Sequence, residues 1–208
     1  IKSITVNKSA SNAAVTGTRE IGRSSLECVY KAVAPERGNE QEPVRMKEDR
    51  MILQTGGAVS KFYSYYNFAK DSLLKADPNN ALKAVEHKNG TAACLYTGYP
   101  EAGRLTLTDA VASTYYTYED KVPQIKWTIG DQTREILGYK CRRADCDLYG
   151  RHFTAWFTDE IPVASGPWKL QGLPGLIMAA ADDEGLYSFE IIGLRSVERP
   201  VEFTDRRY

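Results

Sequence analysis

The sequence is poor in the groups that carry most protein chemistry. Its 208 residues include two histidines, His87 and His152. Neither stands in a G-x-S-x-G elbow, and no cysteine has a catalytic signature around it, so no motif supplies a nucleophile with its base. Charge of one sign is not in surplus: 27 Lys+Arg balance 27 Asp+Glu. A chain built for nucleic acid carries a basic excess, so nucleic acid is not an expected partner. No stretch approaches the about 20 apolar residues of a membrane-crossing helix. The first residues, Ile1 to Asn7, have neither an initiator Met nor the apolar run of a signal peptide. The expectation is a mature protein whose leader has been removed, or a trimmed chain.

Cysteine is scarce but even in number. Cys28, Cys94, Cys141 and Cys146 permit a disulfide framework with three pairings, or four buried thiols acting as small hydrophobes. Metal-ligand spacing is missing. Four residues separate Cys141 from Cys146, too wide for a C-x-x-C half-site, and no second pair completes a tetrahedral set. Asp182, Asp183 and Glu184 are adjacent, whereas a calcium loop alternates its carboxylates, so they read as a solvated turn. Gly166, Gly172 and Gly175 are not followed by Lys-Ser/Thr, which disfavours a phosphate loop. Neither a metal nor a cofactor is expected.

What is present is ordinary globular material: 42% hydrophobic and 11% aromatic residues. A chain this long buries on the order of 70% of its unfolded surface. Residues 1–22 are rich in Ser, Asn, Ala and Thr and read as a weakly ordered segment before a single domain over 23–208. Leu26 to Val33 reads as a strand, Pro35 to Pro43 as a charged loop, and Val44 to Thr55 as one or two strands ended by Gly56-Gly57. A helical region runs from Ala58 to Ala76, stopped at Asp77-Pro78, with a second helix over Asn79 to Lys88. The ring cluster Phe62, Tyr63, Tyr65, Tyr66 and Phe68 serves either as core or as a ligand platform.

Beyond Thr91 short strands alternate with turns. They read as Ala92–Gly98, Arg104–Thr108, Thr114–Glu119, Gln124–Ile129, Arg134–Cys141, His152–Asp159, Leu176–Ala181 and Leu186–Val197. Hairpins are expected at Gly130-Asp131-Gln132 and at Asp182 to Gly185. The fold class is therefore α+β, mostly antiparallel β, with one or two short helices.

One segment stands apart: Gly166 to Met178, GPWKLQGLPGLIM. Pro174 removes a backbone donor and excludes a helix, while Trp168, Leu170, Leu173, Leu176 and Ile177 call for burial and exclude a linker. A rigid, packed turn feeding a strand remains. All three tryptophans, Trp127, Trp156 and Trp168, fall between Trp127 and Ile177. They wall an apolar pocket or fill a solid core.

The stretch from Trp127 to Leu194 resembles the GLPGLI family of exported proteins of Gram-negative bacteria, whose hexapeptide stands here at Gly172–Ile177. The resemblance is carried by Trp127, Gly138-Tyr139-Lys140-Cys141, Ala144, Gly150-Arg151, Ala155-Trp156-Phe157-Thr158, Glu160-Ile161-Pro162 and Gly166-Pro167-Trp168-Lys169. Upstream, Ser60 to Ser64 is also similar, so the likeness spans roughly residues 24 to 195. Arg143 replaces a frequent lysine, and Cys146 lies outside the pattern. The resemblance implies export to the periplasm or outer envelope, and a curved sheet or open half-barrel similar to lipoprotein-carrier folds. It brings no assigned activity. The resulting expectation is a non-catalytic envelope protein that binds an apolar ligand, a peptide or a partner protein. Its candidate contact residues are Trp127, Tyr139, Arg151, Trp156, Trp168, Leu173, Pro174 and Leu176. Arg151 is expected to lock the Gly-Pro corner through its carbonyls, or to pair with Asp159 or Glu160. The alternatives are a hydrolase or redox enzyme using His152, and a metal-handling protein using Cys or His.

Overall fold

The computed structural model describes residues 5–6, 17–36, 43–76, 90–111 and 114–204. The expected helix Asn79–Lys88, and His87 with it, lie outside the described residues. Among the described residues are twelve strands and one helix: β1 (Thr5–Val6), β2 (Thr18–Pro35), β3 (Met46–Thr55), β4 (Ser60–Ser64), α1 (Tyr65–Ala76), β5 (Cys94–Thr97), β6 (Arg104–Val111), β7 (Thr114–Lys121), β8 (Thr128–Ile136), β9 (Tyr139–Leu148), β10 (Arg151–Thr158), β11 (Leu176–Asp182) and β12 (Ser188–Thr204). Their hydrogen-bonding order is β1-β7-β6-β5-β4-β3-β2-β12-β11-β10-β9-β8. Among the described residues the two ends of that order, β1 and β8, do not pair with each other, so the sheet is open and closes into no barrel. The class is the expected one, mostly antiparallel β with a helix.

By its internal contacts the chain falls into two compact units. Unit 1 takes residues 1–27, 52–122 and 195–208, and unit 2 takes 28–51 and 123–194. β2, β3 and β12 contribute residues to both. In unit 1, β4, β5, β6 and β7 form successive antiparallel pairs. Leu53, Phe62, Leu95, Leu105, Val201 and Phe203 form its core, with the Tyr96 and Phe203 rings meeting edge-on at 5.1 Å. The helix expected from Ala58 begins at Tyr65. Ser60 to Ser64 is a strand, because Phe62 and Tyr63 are buried and pair with Leu95 and Cys94. Sheet pairing overrides local propensity there. Ser64 then caps α1, its Oγ accepting from the Asn67 N–H at 3.4 Å. The Asn67 side chain holds the far end of the connection, donating to Thr91 O at 2.6 Å and accepting from Gly90 N. Glu27 is buried in this unit and takes the Arg195 Nε–H at 2.9 Å and the Arg199 Nη1–H at 3.5 Å.

In unit 2 period-two alternation decides which face is core. Phe153, Ala155 and Phe157 of β10 are buried, and their cross-strand partners on β9, Cys146, Ala144 and Arg142, share that face. Two hairpin loops contain two residues each. Leu137-Gly138 has φ of 51° and 83°, and Tyr149-Gly150 has 51° and 78°, the left-handed pair that a primed turn requires. The hairpin expected at Gly130-Asp131-Gln132 is corrected by this. Those residues lie inside β8 as a bulge, between the pairs Ile129–Ala144 and Thr133–Arg142, and the chain reverses at Leu137. The Asp182–Gly185 turn is found as expected, closed by Gly185 N donating to Asp182 O at 3.1 Å.

The Gly-Pro segment is the connection from β10 to β11. Ile177 N donates to Ser165 O and Leu176 N to Ile161 O, both at 3.0 Å, and the buried Tyr30 hydroxyl donates to Ile177 O at 2.7 Å. Gly175 is needed because a Cβ there would stand 2.0 Å from Thr158 O. Leu170, Leu173, Leu176 and Ile177 are at most 1% exposed, each contributing about 2 kcal/mol by burial.

The disulfide expectation is corrected as well: none joins Cys28, Cys94, Cys141 or Cys146. Cys141 and Cys146 both lie on β9. Five strand residues place them about 17 Å apart on opposite faces, out of reach of a bridge. Burial pushes each of these thiols up to about 11.

Candidate functional site

The outward face of unit 2 is built in rows, because opposite residues of an antiparallel pair share a face. One row runs Arg143, Trp156, Ala179, Glu190 across β9 to β12, and the next runs Asp145, Thr154, Ala181, Ser188. A bulge in the β10–β11 pairing sets the first row. Trp156 faces Ala179 while the next residue, Phe157, faces Ile177, leaving Met178 as the extra residue. Small side chains on β11 between larger neighbours leave a trough. Its volume is about 360 Å³, floored by Ala179 and Ala181 and bounded by Trp156, Arg134, Lys31, Val33, Ser188 and Glu190.

The Arg134 guanidinium lies 4.6 Å from the Trp156 ring centroid, within cation–π range. Lys31 pairs with Glu48 at 3.1 Å, both half-exposed, a contact worth well under about 1 kcal/mol. The trough thus offers one aromatic wall, an apolar floor and charges of both signs.

A polar strip adjoins it on β9 and β10. Arg143 grips Asp145 with three N–H bonds of 2.9–3.1 Å, and Thr154 Oγ1 donates to the same carboxylate at 2.7 Å. The bonds from Arg143, more than any other influence, hold the Asp145 carboxyl below its usual range. His152 Nδ1 stands 2.8 Å from Asp147 Oδ1, and its Nε2 3.9 Å from Asp145 Oδ1. The Asp147 hydrogen bond, chiefly, raises the imidazole above its ordinary value. Among the described residues, the side chains that hold the His152 imidazole are these two carboxylates. On the opposite face Arg142 lies over the Phe157 ring at 5.2 Å, and its buried Nε has no hydrogen-bond partner among the described residues.

The candidate residues do not converge. Trp156 lines the trough. Trp127 donates its indole N–H to Gln171 O at 2.8 Å, and Tyr139 opens β9 opposite Ile136. Leu173 and Leu176 are core and Pro174 is exposed beside them. Trp168 sits in the corner with φ of 55°. Arg151 serves a different turn from the expected ones: it pairs with Asp182 and Glu184 at 2.8 Å each and lies 5.1 Å from the Tyr187 ring centroid. Asp182 has no exposed side-chain surface, so a buried carboxylate draws the guanidinium to the β11–β12 hairpin. Glu160 instead accepts from Lys140 N at 3.0 Å. Lys31, Arg134, Ala179, Ala181 and Glu190 escaped the sequence reading because only strand register brings them beside Trp156. Among the described residues no group of three or more His, Cys, Asp or Glu is arranged to hold a metal, and no helix is long and apolar enough to cross a membrane.

A family model described as a protein of unknown function, Porph_ging, matches residues 149–179, from the β9–β10 turn into β11. This is a short part of the chain, and the likeness to the GLPGLI family stays a resemblance. No curated protein matches the chain. In fold the chain is similar to solved structures of PNGF-II in two crystal forms. The P21 form has a TM-score of 0.56 at 12% identity, covering 85% of this chain and 29% of that one. The C2 form has a TM-score of 0.57 at 12% identity, covering 84% and 28%. The chain therefore spans less than a third of the PNGF-II length, and the likeness concerns fold alone.

Proposed function

We propose that the chain is a non-catalytic binding module that holds an extended peptide segment in the unit 2 trough. The observation that carries the reading is Trp156, half-buried under Arg134, standing directly beside the alanine floor of β11. Trp and Arg are the side chains that most often anchor interfaces, and a floor without large side chains gives an incoming chain room to lie across the strands. A purely apolar ligand fits less well, since it would desolvate Lys31, Arg134 and Glu190 without returning hydrogen bonds. A peptide carries both charge signs and apolar side chains together. The cell-envelope setting, periplasm or outer envelope, rests on the family resemblance and is part of the same proposal.

Selection from a random-peptide phage library tests it. Peptides enriched on the native chain are expected to bind Trp156→Ala at least about ten-fold more weakly, the scale of one anchor residue. A library that enriches equally on both proteins rejects the trough. A second reading, an acid–base enzyme working through His152 and Asp147, is favoured by their 2.8 Å contact. It is lost if His152→Ala leaves every phenotype of a deletion strain fully complemented.

A further inference from the structure

The trough of unit 2 is electrically polarised along its length. Glu190 stands at the β12 end, exposed and on the same face as Ala179. At the other end Arg134 reaches in from β8 and lies 4.6 Å from the Trp156 ring centroid. Two strand steps lead from Trp156 through Ala179 to Glu190. Neighbouring strands lie about 4.8 Å apart, so the positive and negative ends are about 10 Å from each other.

The other charges around the trough are matched within the protein. Lys31 pairs with Glu48 at 3.1 Å. Arg143 holds Asp145 at 2.9 Å and donates to Gln132 Oε1 at 3.0 Å. Arg134 and Glu190 differ from these. Among the described residues Arg134 meets no carboxylate and Glu190 meets no cation. Nor do they neutralise each other, because their separation exceeds the screening length of about 8 Å at physiological salt. A single surface charge needs only water. Two of opposite sign, facing one trough with an alanine floor, give that trough a direction.

We infer that the trough selects segments bearing one acid and one base, an inference that rests on the peptide reading above. The preferred segment brings an acidic side chain to Arg134 and a basic one to Glu190. Small or apolar residues lie between them, over Ala179 and Ala181. An extended chain rises about 3.3 Å per residue and alternates its faces, so acid and base stand two or four residues apart. Arg134 suits a carboxylate, since a guanidinium can donate two parallel N–H bonds from its edge while its face stays on the Trp156 ring. A segment with two acids would set one of them against Glu190, and one with two bases would set one against Arg134. Such like-charge contacts exclude wrong partners.

The test selects one random-peptide phage library on the native chain, Arg134→Glu, Glu190→Lys and Arg134→Lys. Both positions are exposed, where substitutions cost little stability. Peptides enriched on the native chain are expected to carry the acid and base at the stated spacing. On Arg134→Glu a second base is expected to replace the acid, and on Glu190→Lys a second acid to replace the base. Arg134→Lys keeps the charge and is expected to keep the native pattern. A synthetic peptide of the native pattern is expected to bind each charge-reversed variant about ten-fold more weakly. Enriched sequences with the same charges on all four proteins overturn the inference, as does an Arg134→Lys protein that selects like Arg134→Glu. In either case the trough itself still stands if those peptides lose affinity for Trp156→Ala. A library that enriches nothing on the native chain, or peptides indifferent to Trp156→Ala, overturns the peptide reading and this inference together.

Discussion

The corner between β10 and β11 and the trough beside it use the same two strands and end up opposite in character. In the corner, Leu170, Leu173, Leu176 and Ile177 are all buried, and backbone bonds from Leu176 and Ile177 tie the segment to Ile161 and Ser165. In the trough, β11 presents Ala179 and Ala181, and about 360 Å³ stays open beside Trp156. The difference is side-chain volume at a few positions, set in register by the bulge at Met178. A close-packed interior penalises any change of volume. An open face tolerates it, and the tolerance is what leaves room for a ligand.

Four substitutions or conditions break or sharpen that contrast. The largest effect is expected from Gly175→Ala, whose new Cβ would stand 2.0 Å from Thr158 O. Backbone cannot yield as a flexible side chain does, so a loss of about 3 kcal/mol in urea-unfolding free energy is expected; a change near zero would mean the corner is looser than described. Next is Tyr30→Phe, which removes the buried donor to Ile177 O. A loss of about 1.5 kcal/mol is expected by the same measurement. Phage-selected peptides should still bind both corner variants once these are folded.

Smaller is a pH effect through His152. Its folded-state affinity for protons is raised, first by Asp147. The stabilisation is therefore complete below the ordinary imidazole value of about 6.5 and is lost as pH rises through the higher folded-state value. The thermal midpoint should fall slightly between about pH 6 and about pH 8, and Asp147→Asn should flatten that slope; an unchanged slope would remove Asp147 as its cause. Asp145, with its lowered carboxyl, acts in the opposite sense, stabilising above the ordinary carboxylate range and losing that effect only as acid protonates it. The smallest stability effect belongs to Ala181→Leu. This exposed position should shift unfolding by no more than about 0.5 kcal/mol, while occupying the trough and abolishing peptide capture. If capture survives, the ligand lies elsewhere.

Much of the fold was legible where polar punctuation and alternation agree. Asp182 to Gly185 carries its turn in its own side chains, since Asp182 Oδ1 accepts from Tyr187 N at 2.7 Å. Leu137-Gly138 carries no such mark, and a leucine at positive φ has no signature in sequence, so the nearby Gly130-Asp131-Gln132 attracted the turn that begins seven residues after Gly130, at Leu137. Ser60 to Ser64 misled in the same way: five residues of mixed period, decided by pairing with β5. Of the site, Trp156 was legible because an aromatic on an alternating strand is conspicuous. Its partners were not. Arg134, Lys31 and Glu190 are ordinary charges until register sets them around the alanines, and register is a property of strands far apart in sequence.

Unit 1 draws on three separate stretches, the last of which begins at residue 195. Val201 and Phe203 belong to its core, and they leave the ribosome after every other described core residue. During synthesis β4 to β7 must therefore wait, their apolar faces uncovered, for partners about a hundred residues downstream. Such distant closure makes folding slow and postpones it until Val201 and Phe203 have been synthesised. Until β12 has been made, the apolar faces of β4 to β7 in unit 1 lack the two side chains that complete their core.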